Sequence, residues 1–181
     1  MKEQKGATFT NEEYELVNSA ILVTVPSWNT EYGTVVQAAL TPESHSVIRA
    51  VALADIGSPG MEPDGFGNDG DALFIEQEID IAEAIRKAKS SDDISPDNQK
   101  RYLTRYRSWL NSQHGYAKGR QTLFETELGN LNDRAKERVR QLFSRFAEAI
   151  STAESNAKTD EEYSFKQMAR RLVPNAFSGE V

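Results

Sequence analysis

Apolar residues recur along this chain at spacings of three and four, the period that lines one face of an α-helix. Phe74, Ile75, Ile79, Ala82, Ile85 and Ala88 form one such stripe, within a helix expected over residues 72–89. Tyr102, Leu103, Tyr106, Trp109 and Leu110 form a second, opened by Ser95-Pro96-Asp97 and ended at Gly115. Ala135, Val139, Leu142, Phe146, Ala149 and Ala153 predict the longest helix, Asp133–Asn156, with near-heptad spacing. Its seam Val139, Leu142 and Phe146 suits a core or an oligomer interface equally. Phe165, Met168, Ala169 and Leu172 predict a last helix, stopped by Pro174.

The punctuation between these stripes is also helical. Thr10-Asn11-Glu12-Glu13 reads as a capping box, with Phe9 and Tyr14 at the spacing of a hydrophobic staple. The helix it opens should reach about Thr24, ahead of Pro26. Its end, Ile21–Val25, is rich enough in β-branched residues for a short strand, and the pattern leaves both open. A short helix is expected over Glu31–Leu40. Thr41-Pro42-Glu43 should open the next, with proline at its first position and Gly57 as its stop. That helix carries Val47, Ile48, Val51, Leu53 and Ile56 around much of its circumference, which places it in the core. Gly57–Asp71, with five of the chain's 11 glycines, reads as a Gly-rich acidic loop. Ser90–Ser95 reads as a polar linker, a short helix covers Gln121–Leu128, and Thr159-Asp160-Glu161-Glu162 reads as a second capping box. The expected fold is all-α, a single bundle-like domain of about seven or eight helices. An acidic half, residues 1–89, and a basic half, residues 96–181, would pack into it.

Composition narrows the setting. The 181 residues include 38% hydrophobic and 27% charged side chains, no cysteine, and a net charge of −7. Without cysteine there is neither a disulfide framework nor a thiolate metal site, which points to a reducing, cytoplasmic location. No stretch approaches the roughly 20 apolar residues of a membrane span. Met1-Lys2-Glu3-Gln4-Lys5 leads into no apolar run, so no signal peptide is expected. The net charge conceals a division. Residues 1–98 carry 6 basic and 18 acidic side chains, net −12, while residues 99–181 carry 15 and 10, net +5. Fields of opposite sign select and steer different ligands.

Candidate chemistry is sparse. Glu62, Asp64, Asp69 and Asp71 suggest calcium, but with Asp64 at loop position one Phe66 falls at three, Asp69 falls where the glycine belongs, and twelve is not glutamate. Glu76, Asp80 and Glu83 share a helix face, yet neither His45 nor His114 follows a glutamate by three, as helical di-iron sites require. Glu12-Glu13-Tyr14-Glu15 supplies only half of the paired acidic motifs of all-α pyrophosphohydrolases. No metal or cofactor is therefore expected. Nucleophilic catalysis lacks a cysteine and a Gly-x-Ser-x-Gly elbow. Residues 115–122 look briefly like a phosphate loop, but Arg120 is not followed by Ser or Thr and no apolar strand precedes them.

Arg107 and His114 lie seven apart on one helix, two turns distant on nearly one face. Together they could stabilise charge and move protons at a phosphodiester without metal. Their spacing at a helix end resembles the Arg-x(4–6)-His signature of HEPN-type ribonucleases. That resemblance implies a small all-α, dimeric, metal-independent ribonuclease. Ser108 is an imperfect match to the polar residue that usually follows the arginine. The plainer reading is a basic helix whose histidine is favoured by the helix dipole.

The basic stretch 99–145 interleaves arginines with Tyr102, Tyr106 and Trp109, a pattern that can track phosphates and stack bases. Those aromatics also lie on the apolar stripe, which makes them core. The favoured expectation is a non-enzymatic interaction or assembly protein, oligomeric, acting through helix faces and charge complementarity. Its contact residues would be Arg101, Arg105, Arg107, Arg138 and Arg145, with Asp64, Asp69 and Asp71 opposite. The partner would be a protein or a second copy. A nucleic-acid binder using residues 99–145 is the second reading, and the ribonuclease the third.

Overall fold

The computed structural model describes residues 9–160 and 162–178. Among these the fold is all-α, with a single two-stranded hairpin. The expectation on residues 1–5 lies outside the described residues. Two compact units emerge: Met1–Gly57 with Gly119–Leu142, and Ser58–Lys118 with Phe143–Val181. Each draws on segments from both sides of Ser90–Ser95.

In the first unit α1 runs Asn11–Val23. Its capping box forms as expected: the Thr10 amide donates to Glu13 Oε2 at 2.7 Å, and the Glu13 amide donates to Thr10 Oγ1 at 3.2 Å. The Phe9 and Tyr14 rings meet edge-on at 5.7 Å. Thr24 ends the helix by donating its hydroxyl to the Ile21 carbonyl at 2.8 Å, so residues 21–23 are helix and not strand.

The helix expected over Glu31–Leu40 is instead a hairpin, β1 (Ser27–Asn29) antiparallel to β2 (Thr34–Val36), with Trp28 opposite Val35. Asn29 makes the turn, its side-chain oxygen accepting from the amides of Glu31 and Tyr32 at 2.9 and 3.1 Å. Gly33 supplies a φ of +58°, and three β-branched residues follow. Next, α2 covers Ser46–Ile56, later than Thr41-Pro42-Glu43 predicted. Proline's fixed φ serves the second position of a turn as well as a first helical turn. Here the Ser44 amide closes that turn on the Thr41 carbonyl at 3.1 Å, and His45 caps α2 through Nδ1. Leu53 and Ile56 enter the core as expected, but Val47 and Val51 face outward.

The second unit holds α3 (Ser58–Met61), α4 (Pro63–Gln77), α5 (Ile79–Lys87), a 3₁₀ turn at Ser91–Asp93, α8 (Phe146–Asp160) and α9 (Phe165–Leu172). The long α6, Pro96–Glu127, contributes residues 96–118 here and 119–127 to the first unit, which also contains α7 (Asp133–Leu142). The Gly-rich loop expected over residues 57–71 is therefore helix. Two of its glycines lie where packing is close: a Cβ on Gly60 would sit 2.8 Å from the Phe146 ring, and one on Gly70 3.2 Å from Gln113 Oε1. Facing them, α8 presents Ala149 and Ala153, both buried. Packing of small residues outweighs the cost of about 1 kcal/mol per glycine in a helix.

Other boundaries shift for physical reasons. Gly115 does not stop its helix, which runs on to Glu127; the left-handed glycine lies just beyond that end, Gly129 at φ +52°. The expected helix Asp133–Asn156 breaks at residues 143–145, which divides the seam: Phe146 is core while Leu142 is 54% exposed. Thr159 lies inside α8 and Glu161 lies outside the described residues. Ser164 with Gln167 forms the box that opens α9. The main core of this unit gathers Phe74, Ile81, Ile85, Tyr106, Met168 and Leu172, with Tyr102 also buried.

An exposed pair holds α7 to α6. Arg140 donates from Nε and Nη2 to the two Glu125 oxygens at 2.9 and 2.8 Å, and this bonding holds the Glu125 carboxyl below its usual range. Between the lowered and ordinary values the unfolded chain binds more protons than the folded one. The pair's contribution is thus complete above the ordinary glutamate pKa and lost as pH falls through the lowered value. Wild type should exceed Glu125→Gln in urea midpoint at pH 6, and the gap should close towards pH 3. A gap independent of pH would assign the effect to packing.

Candidate interaction surface

The first unit distributes its polar and apolar residues unusually. Arg49, on α2, is only 1% exposed. Its guanidinium donates to the carbonyls of Thr41 at 2.7 Å, Pro42 at 2.9 Å, and Glu127 at the end of α6. Burial pulls its pKa down, and the charges of Glu127 and Glu43 oppose that. Arg120 is 2% exposed and grips both Glu127 oxygens, with a further bond to the Val35 carbonyl at 3.3 Å. Gln37 is also buried, donating to Asp55 at 2.9 Å.

Apolar side chains lie outside instead. Tyr14, Val17 and Ile21 line α1 at spacings of three and four, and Ile21 is 61% exposed. Val47 and Val51 stand one turn apart on α2. Leu16, Val17, Ala20, Ile21, Val47 and Val51 line an open groove between the two helices. Trp28, on the hairpin, is 62% exposed. These side chains form contiguous apolar surface rather than isolated exposed residues. Charge is confined to one end, where Glu12, Glu13 and Glu15 occupy the first turns of α1. Bonding to Thr10 holds the Glu13 carboxyl below its usual range.

The residues singled out by charge are placed differently. Arg145 bonds Glu148 at 2.8 Å and Asp64 at 3.3 Å, contacts that raise its pKa further. Asp71 accepts from Arg171 at 2.7 Å and from the Tyr106 hydroxyl at 3.0 Å. Arg105 pairs with Glu78 and, at 3.2 Å, with Asp80. Arg107 donates to the Tyr163 carbonyl at 3.0 Å. Arg101 lies over the Tyr102 ring, 5.2 Å from its centre. Asp69 on α4 and Arg138 on α7 are exposed. His114 is half-buried on α6, two turns beyond Arg107, a rise of about 10 Å.

Arg49, Arg120, Ile21, Val47 and Val51 were not anticipated as a group. The available signal was the surplus of apolar residues around both α1 and α2, more than a small unit can bury. Among the described residues no three His, Asp or Glu side chains gather as a metal site, and no helix is long and apolar enough to cross a membrane. Comparison with protein-family models, curated proteins and solved structures finds no match to this chain.

Proposed function

We propose that this protein is an interaction or assembly protein, acting by contact rather than catalysis, and that its contact surface is the apolar face of α1 and α2. One observation carries the reading: the first unit buries two arginines while leaving the α1–α2 groove open to solvent. Burying an arginine is costly unless its bonds are met, so this interior is specific and polar by construction. The apolar residues it excludes gain from removal from water only when a partner covers them, at about 25 cal/mol per Å².

Charge plays a smaller part than composition alone suggests. Arg105, Arg107, Arg120, Arg140 and Arg145 each hold a carboxylate or carbonyl within their own unit. That supports contact by apolar packing over a phosphate-tracking stripe along residues 99–145.

Size-exclusion of extracts from the cells that make the protein tests the reading. Wild type and Arg138→Glu should elute in a complex heavier than the 20.2 kDa chain, and Ile21→Glu should elute alone. Co-elution of all three would overturn the assignment of this face.

A further inference from the structure

We infer that the occupant of the α1–α2 groove is a second copy of this chain, the two α1 helices packing antiparallel about a two-fold axis near Ala20. The inference rests on the contact face assigned above. A helix pair with one apolar face open is half of a four-helix bundle, and an identical pair closes it. Such an isologous contact uses the same patch on both copies and stops at two. Residues 1–8 carry only Met1 and Ala7 as apolar side chains, so they offer the groove little apolar cover.

Charge sets the direction. The three glutamates of α1 lie at its start, and residues 16–30 contain no charged side chain at all. Arg49 and Asp55 of α2 are both engaged inside the unit. Antiparallel pairing sets each acidic end beside the partner's uncharged end. The two acidic clusters then stand about 20 Å apart, twice the rise from Ala20 back to Glu12–Glu15, and more than two Debye lengths in physiological salt. Parallel pairing would place both clusters side by side. A basic partner would find complementarity at one end of the groove only, whereas a second copy matches its whole uncharged length. Ala20 sits at the middle of the lining stretch Leu16–Thr24, and its small side chain lets two helix backbones approach closely.

The chain has no cysteine, so engineered ones report cleanly. Light scattering of the purified 181-residue chain, from micromolar to submillimolar, should give twice 20.2 kDa for wild type at both low and high salt. Ile21→Glu should halve that mass without loss of helicity by circular dichroism. Under mild oxidation Ala20→Cys should form a covalent dimer. Val17→Cys and Thr24→Cys should cross-link when mixed and not alone. A wild-type monomer at every concentration would overturn the inference, and so would Val17→Cys linking to itself as readily as Ala20→Cys. If Ile21→Glu loses helicity, the cysteine results decide, because they leave Ile21 in place. A monomeric purified chain whose cellular complex is still lost in Ile21→Glu would overturn self-pairing and leave the contact face standing. Loss of neither dimer nor complex in that variant would overturn both.

Discussion

Arg49→Met should destabilise the folded protein by about 3–5 kcal/mol, the range for removing one partner from a buried charged network. Methionine matches much of the side chain's length and apolar stem, so the loss is chiefly polar. The carbonyls of Pro42 and Glu127 would lose the guanidinium that bonds them, and that of Thr41 would keep only the Ser44 amide. The Glu127 carbonyl belongs to the last turn of α6, where carbonyls have no partner within the helix and the dipole favours a cation. Arg49 therefore acts as a side-chain cap supplied by another element. Arg49→Lys keeps the charge but replaces a planar fork by a point donor, and should recover less than half of the loss. Urea unfolding followed by circular dichroism reads both. A change below about 1 kcal/mol for Arg49→Met would mean that water meets these carbonyls and that the guanidinium is no staple.

Gly119→Ala should destabilise by about 1–3 kcal/mol, whereas Gly115→Ala, one turn earlier in the same helix, should stabilise by about 0.5–1 kcal/mol. Intrinsic propensity favours alanine equally at both positions. The difference lies in what each added methyl would meet. At Gly115 nothing lies within 4 Å. At Gly119 the methyl would overlap Thr34, whose Cγ2 would stand 2.6 Å away. Thr34 is fully buried, β-branched and held in β2, so it has no room to yield. Urea midpoints moving in opposite directions would confirm the close approach of α6 to the hairpin. Stabilisation in both variants would refute it.

The capping chemistry at Thr10 was legible because every group involved lies within four residues. Likewise Tyr102, Tyr106 and Leu110 were legible as core from their spacing, which geometry imposes on any helix buried along one side. Gly60 and Gly70 misled for the opposite reason. Glycine is disfavoured in a helix by about 1 kcal/mol, and only the partner helix, distant in sequence, repays that. Asn29-to-Gly33 did carry a turn signal, but the helical rhythm of its neighbours obscured it. Arg105 read as free basic surface because its carboxylate partners, Glu78 and Asp80, are tens of residues away, whereas Arg145 has one partner, Glu148, a turn along its own segment.

The proposed contact face shows the same divide most clearly. Composition and periodicity determined that the chain is helical, where several helices start, and that charge is split between its ends. They could not determine which apolar stripes are covered. Val47 and Ile56 belong to one helix that is apolar around much of its circumference, yet one is nearly half exposed and the other buried. Burial is decided by what other segments bring to each face, and here α6 brings the Glu127 carbonyl that draws Arg49 inward. The tertiary structure thus turned a helix expected at the centre of a core into one wall of an open groove.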